Sequence, residues 1–450
     1  MCTAFGLHSK SKSPWLGASK MPHVIVVGGG VGGMALASRL AKSFPCNITI
    51  IEKNARAGGR SGSVHVSLTH GNFRHESGPS LLLLPHVYQR LFEECGVKNM
   101  EEYGLVMKPC IPAYQAVFED GDRIDVGFPR QTEISPPEQE KMKQAEKQSR
   151  NKMDSFEKDG SLKWDAYLKA CEAYLDCGLP NFIEEKLDLA SFPAFVRESL
   201  QHFGKGWPLK PHSDVLDAFF ESNKLKALAS FQDLYVGLEP YRNDNQPLGG
   251  VLDSTAPAVF GLLSAIELHP TNKKCGVFAP MGGFQKVSDS LLALAEECGV
   301  KFRTGTVSKV APEGVWYHPK EPWGDDCESI FEPADLIIIN ADLPYATQSL
   351  VRDSDPDKEI FDWDDGYRFS SGVIAFHWSL DKSLDELNTH NVFLFANNRT
   401  NMESSWSTLR DPSAEPSSLD KDTPFNFYVH RASKTDPSAA PEVSFPGEDA

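Results

Sequence analysis

The apolar positions near the start of the chain switch between two periods. Residues 23–27 (HVIVV) form a short unbroken apolar run. Glycines follow at once, and from about Val31 to Ser43 the apolar residues recur with helical spacing. Residues 48–51 (ITII) are a second apolar run, closed by Glu52. Strand, helix and strand within about 30 residues predict a β-α-β unit with a parallel sheet buried on both faces. Further on the pattern changes. Residues 133–163 are polar and charged, with Pro136-Pro137, and read as a solvated loop or exposed helix in an insertion. Residues 164–236 return to helical spacing, as in Tyr167, Leu168, Cys171 and Leu175. Residues 241–256 read as a surface loop. Gly282-Gly283 precede a predicted helix over 285–298, and a strand follows near Lys301–Val310. Residues 335–339 (DLIII) predict another buried strand, ending in Asn340-Ala341-Asp342. Residues 371–380 and 391–395 predict strands of a second sheet, whereas 411–424 and 433–450 are rich in Pro, Ser and Asp. No internal repeat is visible. The class is α/β.

Composition narrows the partners. The chain has 450 residues, 40% hydrophobic and 24% charged, which is enough apolar material for a large core. Its formal net charge of -17 excludes a general nucleic-acid binder, because phosphate rewards clustered Lys and Arg. The nine cysteines are odd in number and contain no C-x-x-C pair, so they read as reduced thiols of a cell interior rather than a disulfide framework or zinc site. The longest apolar runs, Leu81–Leu84 and Val259–Ile266, fall well short of the roughly 20 residues that span a bilayer. The first 20 residues carry Lys10, Lys12 and Lys20, four serines and no acid, loosely like a transit peptide and equally like a disordered extension.

The candidate chemistry begins at Gly28-Gly29-Gly30-Val31-Gly32-Gly33, with G-x-G-x-x-G spacing at Gly28, Gly30 and Gly33. The first glycine permits a tight strand-to-helix turn, the second lets backbone approach a pyrophosphate, and the third lets helix and strand pack closely. The helix N-terminus then offers free N–H groups to that phosphate. Such a motif is weak alone, but here it follows a strand and opens a helix. Glu52, at the end of the second strand, is placed to accept hydrogen bonds from ribose hydroxyls, where it would otherwise be an ordinary surface glutamate. These residues do not separate one dinucleotide from another. Gly58-Gly59-Arg60 and Glu76-Ser77-Gly78-Pro79-Ser80 extend the pattern. An arginine there can reach phosphates, and glycines keep the loop close to a cofactor.

Read in order, the segments HVIVVGGGVGGMALASRLA (23–41), IEKNARAGGRSG (51–62), FRHESGPSLLLLP (73–85), SFQDLYVGLEPY (230–241), VFAPMGGFQKV (277–287), DLIIINADLPYA (335–346), FHWSLDKSLDELNTHNVFLF (376–395) and FYVHRASKTDPSAAPE (427–442) resemble the bacterial and fungal phytoene desaturases. The resemblance covers roughly residues 23–442. It implies a Rossmann-like FAD-binding domain, discontinuous over 22–110 and 275–345, and a second α+β substrate-binding domain over 111–274 and 346–450, after an extension at 1–21. It implies that Gly28, Gly30, Gly32, Gly33, Glu52, Gly58, Gly59 and Arg60 line FAD, and that Val307 offers backbone groups near the adenine. Gly282 and Gly283 match a family glycine pair that opens a helix.

Three departures stand out. Glu76 replaces the family's usual Asp, residues 242–256 read as an insertion, and the family's second glycine-rich FAD motif has no counterpart here, so the chain is expected to stop short of it. The implied reaction takes hydrogen from a long apolar polyene, with the flavin accepting hydride. No Ser-His-Asp arrangement, metal cluster or acid/base pair stands out, so no catalytic residue is assigned. Phe219, Phe220, Phe231, Tyr235, Phe376 and Trp378 are either channel wall or core packing. Such a substrate implies a peripheral membrane surface inside the cell, in a plastid or another organelle if the N-terminus is a targeting segment; a homo-oligomer is compatible with all of this. The alternatives are another flavoenzyme of the superfamily, such as an amine oxidase or a carotenoid isomerase, and a shortened, non-catalytic lipid-binding relative.

Overall fold

A computed structural model describes residues 21–69, 71–129, 135–180, 210–236, 256–269, 276–320, 328–351, 373–382, 389–410 and 427–441, with a few isolated positions between them. The predicted unit forms as β1 (His23–Val27), α1 (Val31–Ser43) and β2 (Asn47–Glu52). A ribbon of β3 (Ser63–Leu68) and β4 (Gly71–Glu76) follows, then α2 (Pro85–Glu94). Next come β5 (Met107–Pro109), β6 (Tyr114–Phe118) and β7 (Arg123–Val126). The helices are α3 (Pro136–Phe156), α4 (Gly160–Gly178), α5 (His212–Phe219), α6 (Asn223–Ser230) and α7 (Leu262–Leu268). After β8 (Phe278–Pro280) and α8 (Phe284–Glu297) come β9 (Lys301–Ala311), β10 (Gly314–Pro319), β11 (Ile330–Pro333) and β12 (Leu336–Ile339). β13 (Asn391–Phe395), α9 (Arg399–Arg410) and β14 (Phe427–His430) are the last strands and helix among the described residues before two short 3-10 turns.

Six strands form the central sheet in the order β11-β10-β9-β2-β1-β12, parallel from β9 to β12. The runs of β1 and β2 are unbroken because both faces are covered, whereas β12, expected as a buried strand, ends the described sheet and is half-exposed, with Leu336 45% exposed. Val24, Val26, Ile48 and Ile50 pack with Met34, Ala37, Leu291 and Leu294 of α1 and α8. The alternate residues Ile25, Val27 and Ile51 pack with Val307, Val310, Val315 and Tyr317. Sheet order thus brings the C-terminal ends of β1, β2 and β12 side by side, although β12 lies some three hundred residues away in sequence.

A second sheet runs β14-β13-β6-β7, with β13 parallel to β6. Its core is aromatic. Tyr114 meets Phe231 edge-on at 4.9 Å, and Phe231 lies 4.5 Å from Phe393. Around them pack Trp164, Tyr167, Leu168, Cys171 and Leu175, the buried stripe of α4. The ribbon β5–β8 joins the two regions.

The polar stretch at 133–163 is largely an exposed helix, opened by a capping box of Ser135 and Glu138. The strand expected over 371–380 is not formed at 373–380, and 371–372 lie outside the described residues. Residues 373–380 are irregular, with Val373 92%, Ile374 82%, Phe376 70% and Trp378 59% exposed. Among the described residues no strand runs beside them to supply the ladder that an alternating sequence needs. Phe220 and Phe231 are core, whereas Phe376 and Trp378 are surface. The loop at 241–255 and the side chain of Tyr235 lie outside the described residues.

Phe92 is fully buried beneath α1 and faces Tyr103 at 5.5 Å. Phe92→Ala should cost about 3–5 kcal/mol in denaturant unfolding, the usual range for emptying such a site. A loss below about 1 kcal/mol would contradict this packing.

Candidate functional site

The site is built where the chain turns from β1 into α1. Gly28 has φ +103°, and a Cβ there would lie 2.4 Å from the Asn340 carbonyl oxygen. A Cβ on Gly33 would lie 2.3 Å from the Gly28 carbonyl oxygen and 2.8 Å from Asn340 Nδ2. Only glycine permits both approaches. The turn is held from both sides, with Gly28 N–H donating to Ile51 O at 2.9 Å and Asn340 N–H donating to Val27 O at 2.8 Å. Asn340 Nδ2 also donates to Gly28 O at 3.3 Å.

Gly58 and Gly59 close on this turn. Gly58 N–H donates to Gly29 O at 2.8 Å, and Gly30 and Gly58 form a parallel bridge. The loop after β4 abuts them in turn, as Ser77 N–H donates to Gly62 O at 2.9 Å. Glu52 is only 4% exposed. Its Oε2 accepts from Gly29 N–H at 2.7 Å and its Oε1 from Asn54 N–H at 2.9 Å. Each oxygen keeps a further lone pair for a hydroxyl. Glu52 is therefore a brace of the turn as well as a candidate ribose acceptor.

These residues fit a dinucleotide. The N-cap of α1, Gly30, carries no side-chain cap, and the first turn contains no acid. A Cβ on Gly30 would meet nothing closer than Asn340 Nδ2 at 3.6 Å, and one on Gly32 would approach Asn340 Oδ1 at 3.2 Å. Backbone N–H groups thus face a space that a pyrophosphate can enter. Arg60 stands at its rim with a side chain 89% exposed, 3.2 Å from Asp342 Oδ2. Val307 sits within β9 opposite Tyr317, its side chain in the core, three positions past Thr304, the partner of Glu52.

Glu76, the acid of the Glu76-Ser77-Gly78-Pro79 segment, ends β4. Its side chain is 4% exposed and lies in a buried ion network. Arg74 Nε donates to Glu76 Oε1 at 3.2 Å, and Arg74 Nη2 donates to Asp436 Oδ2 at 2.8 Å. Glu76 Oε2 accepts from Phe284 N–H at 2.8 Å and from Ser63 Oγ at 2.7 Å. Asp436 Oδ2 accepts from Gly282 N–H at 2.7 Å. The two carboxylates therefore hold the Gly282-Gly283 turn that opens α8, and Arg74 neutralises them. A cavity of about 10 Å³, the space of one water, lies beside them, lined also by Ser80, His390 and His430. His390 Nε2 and His430 Nε2 are 2.8 Å apart. Burial pushes them down to about 4 and about 3, so one neutral imidazole donates to the other.

Asn340, Asp342, Arg74 and Asp436 have no role in the sequence pattern. Asn340 and Asp342 closed a predicted strand, and Arg74 and Asp436 lie within family-like segments. No spacing rule joins residues 362 apart.

A strand–glycine turn–helix–strand with a carboxylate at the second strand end defines the class, a Rossmann-like dinucleotide-binding protein. Residues 26–95 match the family described as an NAD(P)-binding Rossmann-like domain. The chain is 31% identical to the phytoene desaturase of Neurospora crassa over 93% of its own length and 63% of that protein. It is 30% identical to the phytoene desaturase of Cercospora nicotianae over 94% of itself and 60% of that protein. It is 28% identical to the zeta-carotene-forming phytoene desaturase of Myxococcus xanthus, over 93% and 70%. The chain spans somewhat less than two thirds of the two fungal relatives.

Arg74→Met should destabilise the protein by about 3–5 kcal/mol, because two buried carboxylates lose their cation. Burial raises Asp436, but Gly282 N–H, Ser438 and Arg74 together hold its carboxyl below the usual range. Its folded value is thus below its unfolded one, so its contribution to stability is present above about pH 4 and is lost as pH falls through the folded value. Asp436→Asn should lower stability at neutral pH and flatten the acid limb of a Tm-against-pH curve. An unchanged acid limb would contradict this network.

Proposed function

We propose that this chain binds FAD in the glycine cradle and desaturates phytoene or a related carotenoid precursor. The observation that carries the reading is similarity to phytoene desaturases along 93–94% of the chain, far beyond the dinucleotide turn. Bound there, FAD supplies the two-electron oxidant that accepts hydride. The chain's own residues supply the rest. Backbone N–H groups at Val31–Gly33 and Arg60 neutralise the pyrophosphate, and Glu52 accepts from the ribose. Its negative charge disfavours a 2′-phosphate.

A substrate with no polar group is held by apolar contact alone, so the binding surface needs shape and dryness rather than charged partners. It also does not diffuse freely through water, which supports peripheral contact with an intracellular membrane. None of the described helices is long and apolar enough to cross one. The exposed row Val373, Ile374, Phe376 and Trp378 is the described surface most suited to such contact.

Cells that accumulate phytoene should form more conjugated, coloured carotenoids on expressing this chain. Gly33→Val drives Cβ and two methyls against Gly28 O and Asn340, so it should abolish that product and weaken FAD retention at least about 10-fold. Unchanged carotenoid extracts with the parent chain would sink the proposed activity, and a fully active Gly33→Val would sink the assigned cradle.

A further inference from the structure

Two helix ends beside the central sheet are built from the same five residues. The pentapeptide EECGV occurs at 93–97 and again at 296–300, too short to count as a repeat unit. Each copy ends its helix in the same way. Gly96 N–H donates to Glu93 O at 2.9 Å and Val97 N–H to Phe92 O at 2.9 Å, which closes α2. Gly299 N–H donates to Glu296 O at 2.9 Å and Val300 N–H to Ala295 O at 3.0 Å, which closes α8. The two glycines have φ +91° and +88°, the left-handed turn that this cap requires. Cys95 and Cys298 therefore hold the same cap position on two helices.

The two ends meet. Phe92, Cys95 and Val97 share one core with Leu291, Leu294, Ala295 and Val300, and Cys298 packs against it. Tyr103 ties them together. Its ring faces Phe92 at 5.5 Å, its hydroxyl donates to Glu297, and its carbonyl oxygen accepts from Ser290 Oγ at 2.8 Å. The end of α1 lies alongside, with Arg39 Nε 2.5 Å from Glu94 Oε2. The Cys95 and Cys298 thiols face each other within hydrogen-bonding reach, and both are free. Cys95 is 2% exposed, whereas Cys298 is half-buried and open to solvent. Neither thiol takes part in the proposed FAD site.

We propose that Cys95 and Cys298 are a redox modification site, a dithiol that a low-molecular-weight disulfide converts into a bond between α2 and α8. The Cys298 thiolate attacks one sulfur of the small disulfide. That S–S bond breaks, and the departing thiolate takes up the proton that Cys298 lost. The Cys95 thiolate then attacks the Cys298 sulfur of the mixed disulfide, and the second small thiol leaves with the Cys95 proton. Two protein thiols are oxidised by two electrons, and one small disulfide is reduced to two thiols. Burial pushes the Cys95 thiol up to about 12 and raises Cys298 as well, while Lys42 opposes the rise in both. Thiolate is therefore scarce at neutral pH, and the pair records a sustained oxidising poise rather than a brief one.

The location gives the bond its consequence. The chain between the two helices leaves the central sheet and forms β6, β7 and α3 to α7 before it returns. A Cys95–Cys298 disulfide closes that excursion into a covalent loop of about 200 residues and removes freedom from the unfolded chain. The oxidised chain holds α2 against α8, beneath α1 and the glycine turn, by a covalent tie that the reduced chain lacks.

The test equilibrates the purified full chain in buffers that run from reduced to oxidised glutathione. Each sample is quenched in acid, its remaining thiols are alkylated under denaturation, and its peptides are mapped by mass spectrometry, with Tm measured in parallel. At the oxidised end the parent should yield a peptide pair joined through Cys95 and Cys298 and a Tm several degrees above that of the reduced chain. Dithiothreitol should reverse both. Cys298→Ser, a small change at a half-buried position, should lose the joined peptide and the redox dependence of Tm. Cys95→Ala should lose them too, read as the difference between its own oxidised and reduced forms, so a general loss of stability does not obscure the result. Full alkylation of both cysteines at the oxidised end would overturn the proposal. So would glutathione left on Cys298 with Cys95 still free, or a joined peptide that uses another cysteine in place of either. A Cys95–Cys298 bond that forms without raising Tm would overturn its role as a tie between the helices.

Discussion

The close approach of backbone at Gly28 and Gly33 is the constraint on which the rest of the structure depends. At these two positions a single methyl would collide with a peptide oxygen at 2.4 or 2.3 Å. Because no side chain intervenes, β1, β2 and β12 can end together, α1 can begin directly on the sheet, and the Gly58-Gly59 loop can bridge to Gly30. The same omission of side chains leaves backbone N–H groups as the lining of the space, and an uncapped helix start is the feature a pyrophosphate needs. Fold and binding site are therefore one arrangement, with Glu52 and Asn340 as its braces.

A second set of buried contacts transmits that arrangement to distant parts of the chain. Arg74, Glu76 and Asp436 join the β3–β4 ribbon, the turn before α8 and the segment after β14. Three charges in a dry interior are costly, and each is used several times over, by backbone N–H groups as well as by each other. Tyr428 and Ser80 make a parallel link toward the aromatic core. The cofactor side and the apolar side of the molecule are thus joined through groups that do not touch the glycine turn.

Local pattern made part of this legible. β1, α1, β2 and β12 follow from unbroken apolar runs and from glycine at a strand-to-helix junction, all within short windows. The start of α8 after Gly282-Gly283 and the exposed helix α3 follow in the same way. The segment 371–380 misled because alternation reports a strand only when a neighbour supplies the ladder. Glu76 was legible as an acid one methylene longer than its family equivalent. Its use was not, since the partners Arg74, Ser63 and Phe284 N–H meet it only in three dimensions. The meeting of Cys95 and Cys298 was invisible for a further reason. Each caps a different helix, and nothing in the one-dimensional pattern shows that those two helix ends pack together.

The measurement closest to the central claim is the visible absorbance of the purified 450-residue chain after incubation with FAD and removal of free cofactor, with the bound species released by heat and identified. The account predicts flavin bands at close to one FAD per chain. A colourless protein that retains no FAD after reconstitution would contradict it.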